Sequence, residues 1–137
     1  MTRRSRAREV ALQLLFQRDL NHRDDREALE RFVRERLHDQ SLVPFCLALY
    51  DGTMTHRDEI DRRLGETAEN WRLSRMPAVD RNVLRLGAYE LTHTPETPPN
   101  VALNEAIELA RRYGSADSPA FVNGVLDRLR QPSTAVE

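Results

Sequence analysis

The stretch that most constrains the fold is residues 101–129, which predicts two helices joined by a short turn. Apolar residues return at helical spacing on one face of each half. They are Leu103, Ala106, Ile107, Ala110 and Tyr113 before the turn, and Phe121, Val122, Val125 and Leu129 after it. Helix propensity does not explain the Asn123-Gly124 pair in the second helix, or Phe121 at its start. These residues are therefore candidates for a role beyond packing.

Each of the two helices has start and stop signals of its own. We expect Asn100 to cap the first helix and Gly114 to end it in a left-handed conformation. Ser118 followed by Pro119 predicts a cap and a first-turn residue for the second helix.

The composition agrees with a helical globular protein. The chain has 137 residues, of which 39% are hydrophobic and 31% charged, so it is long enough for a sizeable core. No apolar run approaches the ~20 residues of a membrane span and no signal peptide is visible, so we expect a cytoplasmic protein without a membrane partner. The single cysteine, Cys46, excludes an internal disulfide and has apolar neighbours that favour a buried packing role.

The positive charge is more informative in its distribution than in its sum. The net charge is −1, and every one of the 21 basic residues is arginine, which codon bias explains adequately. Residues 1–8 form a basic N-terminal arm, since four arginines precede the first acid, Glu9. Elsewhere arginines alternate with acids, as on solvated helix faces.

The rest of the chain predicts further helices. The first spans residues 3–20, with Leu12 and Phe16 off its apolar stripe, so that this helix is either deeply buried or covered by a partner. A second helix follows a capping box of Asp24 and Glu27.

The middle of the chain predicts one long helix and then a break. Ser41 is expected to cap a third helix that runs to Gly65, with His56 on its inward face. Trp71 is expected to pack between helices.

The last third of the chain completes the fold prediction. Pro77 predicts the start of a helix whose inward stripe carries Glu90. Residues 131–137 predict a loose tail. No segment is typical of a strand, so we expect an all-α fold, a single compact domain over 1–137 with about six or seven helices in two small helical bundles.

Three stretches together resemble the NusB family of bacterial transcription antitermination factors. They are RRSRAREVALQLLFQ (3–17), AVDRNVLRLGAYEL (78–91) and VALNEAIELARRYGSADSPAFVNGVLDRL (101–129). The resemblance implies a non-enzymatic protein that binds boxA-type single-stranded RNA of ribosomal transcripts together with the ribosomal protein NusE. It also implies assembly with other Nus factors and RNA polymerase, and in some members a homodimer. The residues themselves indicate no metal site, nucleophile or other cofactor site.

The arginines of the arm agree with an RNA-binding role. Arg3, Arg4, Arg6 and Arg8 are an electrostatic footprint for phosphates, although an exposed helix start explains them too. If all four engage single-stranded RNA, the log–log salt slope from the arm is about −3.

The second RNA-facing edge is implied by the resemblance. Phe121 matches an aromatic that the family places beside the RNA, where it can stack on a base while free amides at the helix start meet a phosphate. Periodicity alone makes it a core residue. Asn123 offers donors and an acceptor to a base edge, and Asp117 repels phosphates and so limits affinity.

The resemblance also implies a NusE surface. Phe16 and Asp80 match an aromatic and an acidic position that the family uses there, and we add Arg81 as a basic neighbour. A homodimer contact or simple burial explains Phe16 equally well.

Two other classes of function compete with this interpretation. Ribosomal RNA cytosine methyltransferases carry a NusB-like domain, but they need a glycine-rich methyl-donor site, and this sequence has five glycines and no G-x-G pattern. A helical module that binds proteins only is the other alternative.

Overall fold

The structure is a computed structural model that describes residues 3–21, 25–68 and 72–131. In these ranges all regular elements are helical, which confirms the all-α prediction. The seven α-helices are α1 (Arg3–Leu20), α2 (Arg26–Arg36), α3 (Val43–Thr55), α4 (Arg57–Thr67), α5 (Ala78–His93), α6 (Pro99–Tyr113) and α7 (Ser118–Arg130). Short 3-10 turns lie at Gln40–Leu42 and Leu73–Arg75. The roles predicted for Asp24, Trp71 and the tail at 132–137 lie outside the described residues.

The helices form two compact units, Met1–Arg57 and Asp58–Glu137. In the first unit, α1 packs against α3 and α2. The buried face of α1 carries the predicted stripe and also Leu12, so this helix is deeply buried over most of its circumference. Phe16 is half-buried. Among the residues described, we find no helix that combines the length and the hydropathy of a membrane span.

In the second unit, α5, α6 and α7 pack against one another. Their apolar faces meet in a core that includes Val83, Leu84, Val122, Val125 and Leu126, each at most 1% exposed. The helix pair predicted from residues 101–129 is therefore confirmed.

The predicted long third helix is wrong, because it is divided at His56 into α3 and α4. The His56 amide closes α3 by donating to the carbonyls of Gly52 and Met54, and α4 begins at the next residue. The spacing of apolar residues continues across this one-residue break, which is why periodicity does not reveal it. Gly65, predicted to end the helix, lies inside α4.

Three predicted caps are displaced, those at Ser41, Asn100 and Ser118. Asp39, not Ser41, caps the 3-10 turn that leads into α3, and α2 has its N-cap at Asp25, which accepts a hydrogen bond from the Ala28 amide at 3.1 Å. Asn100 lies in the first turn of α6, whose N-cap is Pro98. Ser118 is the first residue of α7 and not its cap.

Gly114 does end α6, but in an extended conformation with φ −98° and ψ −166°. The predicted left-handed conformation is therefore wrong. Space is what requires glycine here, since a Cβ at Gly114 would lie 2.8 Å from the Ala110 carbonyl oxygen and 2.6 Å from the Ser118 Cβ.

Candidate functional site

The basic residues at the start of the chain form the first turns of α1. Arg3 is highly exposed, forms an ion pair with Asp39 and donates to the Ser41 hydroxyl at 3.4 Å. The Arg4 guanidinium stacks over the Phe45 ring, 4.6 Å from its centroid. From Arg3 onwards the predicted arm is therefore helical, and it contacts the start of α3 and the 3-10 turn before it.

The other two arginines are less available to a ligand. Arg6 is partly exposed and donates to Glu9 at 3.1 Å. Arg8 is 3% exposed, with its guanidinium 5.3 Å from the Phe45 centroid. A buried guanidinium cannot reach a phosphate, so the prediction that Arg8 contacts RNA conflicts with the structure.

Sequence reasoning missed the residues that organise this cluster. Phe45 is half-buried beneath two guanidinium groups. Asp39 accepts from the Ser41 hydroxyl and amide, and these bonds, followed by Arg3, hold the pKa of the Asp39 carboxyl below its ordinary value. About 40 positions separate these residues from the arginines, so no local pattern announces the contact.

The positive end of α1 carries arginines and no acid in its first turn. A helix start is favoured by negative charge, because the macrodipole places partial positive charge there. The arginines therefore oppose the electrostatics of their own helix. Part of their charge is balanced within the unit, since Arg3 pairs with Asp39 and Arg6 with Glu9.

The turn before α7 brings the predicted RNA-facing residues to one place. Asp117 and Asn123 are exposed, and Phe121 is half-buried at the start of α7. The amides of Ser118 and Phe121 bond the carbonyls of Ser115 and Asp117, each at 3.1 Å, so the proposal of free amides does not hold for these two. A phosphate at this edge therefore depends on other donors.

The predicted partner residues of α5 have contacts inside their own unit. Asp80 is 7% exposed and accepts a hydrogen bond from the Ser118 hydroxyl at 2.7 Å. Arg81 is half-buried and donates to the backbone carbonyls of Leu73 and Met76 at 3.0 and 3.3 Å. Phe16 belongs to α1, in the other unit. Because Asp80 is only 7% exposed, it presents little surface to any partner.

Comparison with known proteins identifies the family of this chain. A family model described as the NusB family matches residues 5–131. The chain belongs to the NusB family. A transcription antitermination protein NusB from Myxococcus xanthus (strain DK1622) is 44% identical over 133 residues, covering 94% of this chain and 95% of the relative.

Solved NusB structures share the fold. A NusB structure from T. maritima has a TM-score of 0.82 and 36% identity, covering 95% of this chain and 91% of the other. A crystal structure of the antitermination factors NusB and NusE in complex with dsRNA has a TM-score of 0.84 and 27% identity, covering 95% and 97%. The NusB-like fold that the resemblance implied is therefore confirmed.

Proposed function

We propose that this protein is a NusB-type transcription antitermination factor that binds boxA-type RNA of ribosomal transcripts together with the ribosomal protein NusE. The observation that carries the proposal is the likeness of 95% of the chain to a NusB solved with NusE and RNA, within a family matched over residues 5–131. Both units act as one NusB-like domain, other Nus factors and RNA polymerase are further partners, and the cytoplasm is the place of action.

The arginines of α1 and the turn before α7 have different roles in RNA binding. Arg3, Arg4 and Arg6 supply phosphate contacts, which position the RNA without reading its sequence. Phe121 and Asn123 supply stacking and base-edge hydrogen bonds, which are how unpaired RNA is read. NusE contributes by joint attachment, since two weak contacts on one particle reinforce each other. Phe16 stays a proposed NusE contact, as does Arg81.

A titration against labelled boxA-type RNA and a scrambled RNA, with and without NusE, tests this function. We expect preferential binding of the boxA-type RNA that tightens when NusE is present. The log–log salt slope from α1 is expected to be about −2, because Arg8 is buried and three arginines at about 0.7 each remain. Replacing both Arg3 and Arg4 by glutamine reduces the slope by about 1.4.

The matched control is the double replacement of Arg31 and Arg34 by glutamine, which removes the same charge from α2 in the same unit. Its salt slope is expected to stay within experimental error of the unmodified protein. If there is neither salt-dependent RNA binding nor a preference for boxA-type RNA, only the alternative of a protein-binding module remains. If the Arg31/Arg34 variant lowers the salt slope as much as the Arg3/Arg4 variant does, the effect reflects the overall charge of the protein and not a phosphate contact at α1.

Asp117→Asn is expected to tighten RNA binding by up to about fivefold at 50 mM salt, because it removes an exposed negative charge beside the bound phosphates. The gain is expected to shrink at 300 mM salt as screening increases. Fluorescence anisotropy at both salt concentrations measures it. Asp127→Asn, ten residues further along α7, is the control and is expected to change little. Equal affinities for Asp117→Asn and the unmodified protein at both salt concentrations exclude the repulsion.

A further inference from the structure

The Ser118 hydroxyl connects the start of α5 with the turn before α7. It donates to the Asp80 Oδ1 at 2.7 Å and accepts from the Ser115 amide at 2.9 Å. The Ser115 hydroxyl lies 3.2 Å from the same oxygen. Ser118 is 1% exposed and Asp80 7% exposed, so water competes little for these bonds. The buried Oγ of Ser118 therefore hydrogen-bonds both to the turn, at the Ser115 amide, and to the Asp80 carboxylate.

The turn fits closely around Ser118. A Cβ at Gly114 would lie 2.6 Å from the Ser118 Cβ, closer than side chains approach one another. The backbone at Gly114 thus passes directly over Ser118, while the Ser115 amide bonds its hydroxyl. The backbone path of residues 114–118 therefore depends on the hydrogen-bond partners of the Ser118 hydroxyl.

Asp80 is the strongest of these attachments. A hydrogen bond to an ionised carboxylate is roughly twice as strong as one between neutral groups. A buried carboxylate without its donor is strongly unfavourable, so Asp80 keeps the Ser118 hydroxyl in one orientation. Because Asp80 lies in the first turn of α5, a residue 38 positions away in sequence fixes the geometry of the α7 start.

We propose that Asp80 and Ser118 are positioning residues for RNA, and that their hydrogen bond fixes the edge formed by Asp117, Phe121 and Asn123. The inference rests on the proposed function and gives Asp80 a role that acts through Ser118. Asp117 precedes Ser118 directly, and its carbonyl accepts the Phe121 amide at 3.1 Å, so a shift of Ser118 moves both residues. Pre-formed edges bind RNA more tightly because less ordering accompanies binding.

The test measures boxA-type RNA binding in the absence of NusE for Asp80→Ala, Ser118→Ala and the double variant. Each single variant is expected to weaken binding three- to tenfold. The double variant is expected to be no weaker than the weaker single, because both changes remove the same bond. Asp80→Asn keeps an acceptor oxygen for Ser118 and is expected to recover most of the affinity. Circular dichroism and thermal melting confirm that each variant is folded.

A second readout does not depend on RNA. Hydrogen exchange of the Ser115 amide, measured by NMR, is expected to be slow in the unmodified protein and in Asp80→Asn, and faster in Ser118→Ala. If the unmodified protein fails to bind RNA, the proposed function fails while the amide exchange still tests the bridge. The inference is overturned if Asp80→Ala leaves binding to RNA alone unchanged and weakens only NusE binding. It is overturned equally if Asp80→Asn binds RNA as weakly as Asp80→Ala.

Discussion

Asp61→Ala is expected to lower the free energy of unfolding by about 2–3 kcal/mol. The Asp61 carboxylate receives two hydrogen bonds from the Arg85 guanidinium, at 2.8 and 2.9 Å. This pair joins α4 to α5, and the side chain of Arg85 is 11% exposed. Removing the acid leaves a largely buried cation without its main partner, which costs more than the pair itself contributes. Since the Asp61 side chain is 26% exposed, water compensates part of the loss and the estimate lies below that for a fully buried pair.

Equilibrium unfolding in urea measures this change, and a double-mutant cycle isolates the pair. Asp61→Ala combined with Arg85→Ala is expected to cost at least about 1 kcal/mol less than the sum of the single variants. Glu66→Ala is the control on the same helix, because Glu66 pairs with Arg62 at 3.4 Å with both side chains well exposed. It is expected to change stability by less than about 0.5 kcal/mol. Strict additivity in the cycle contradicts an energetic coupling between Asp61 and Arg85.

The pair also shows where sequence reasoning reaches its limit. Helical periodicity predicted the existence and type of most helices, because burying an apolar stripe is a local requirement written at spacings of three and four residues. The bounds of α1 agree with residues 3–20 for this reason. Contacts such as that of Asp61 with Arg85 join residues 24 positions apart, and nothing in the spacing of either residue reports the other.

Local signals for helix ends failed where a residue type that often ends or caps a helix has another role in the structure. Gly65 satisfies a stop signal, yet α4 continues past it because glycine at a helix position with open space around it is only mildly unfavourable. Ser118 satisfies a cap signal, yet its hydroxyl is used by Asp80 and Ser115. A competing tertiary partner displaced the local role in the second case.

For the candidate site, the sequence shows which residue types are present but not which side chains are exposed. The run of arginines at the start of the chain was visible in the sequence, but the burial of Arg8 beside Phe45 was not. Exposure depends on which distant residue covers a side chain. The same holds for Asp80. The family resemblance implied that it lies at a partner surface, but in the structure it is buried and accepts a hydrogen bond from Ser118.

Gly87→Ala is expected to lower the free energy of unfolding by about 1–2 kcal/mol, in spite of the better helix propensity of alanine. Gly87 lies within α5, on the side that packs against α6 and α7. A Cβ there would lie 2.7 Å from the Leu126 Cδ1 of α7 and 3.1 Å from the Ala106 Cβ of α6. Leu126 is fully buried, so its side chain has no free space into which it can rotate.

The control for this prediction is a second helical glycine without such neighbours. Apart from its chain neighbours and the nearby backbone of its own helix, no atom lies within 4 Å of a Cβ at Gly65 in α4. Gly65→Ala is therefore expected to raise the free energy of unfolding by about 0.5 kcal/mol, because alanine loses less backbone entropy on folding. Urea unfolding of the two variants side by side separates packing from propensity, since the intrinsic contribution is similar at both positions. A Gly87→Ala variant as stable as Gly65→Ala contradicts close packing of α5 against α6 and α7. A loss at Gly87 with a gain at Gly65 means that helix approach, and not backbone freedom, requires glycine in α5.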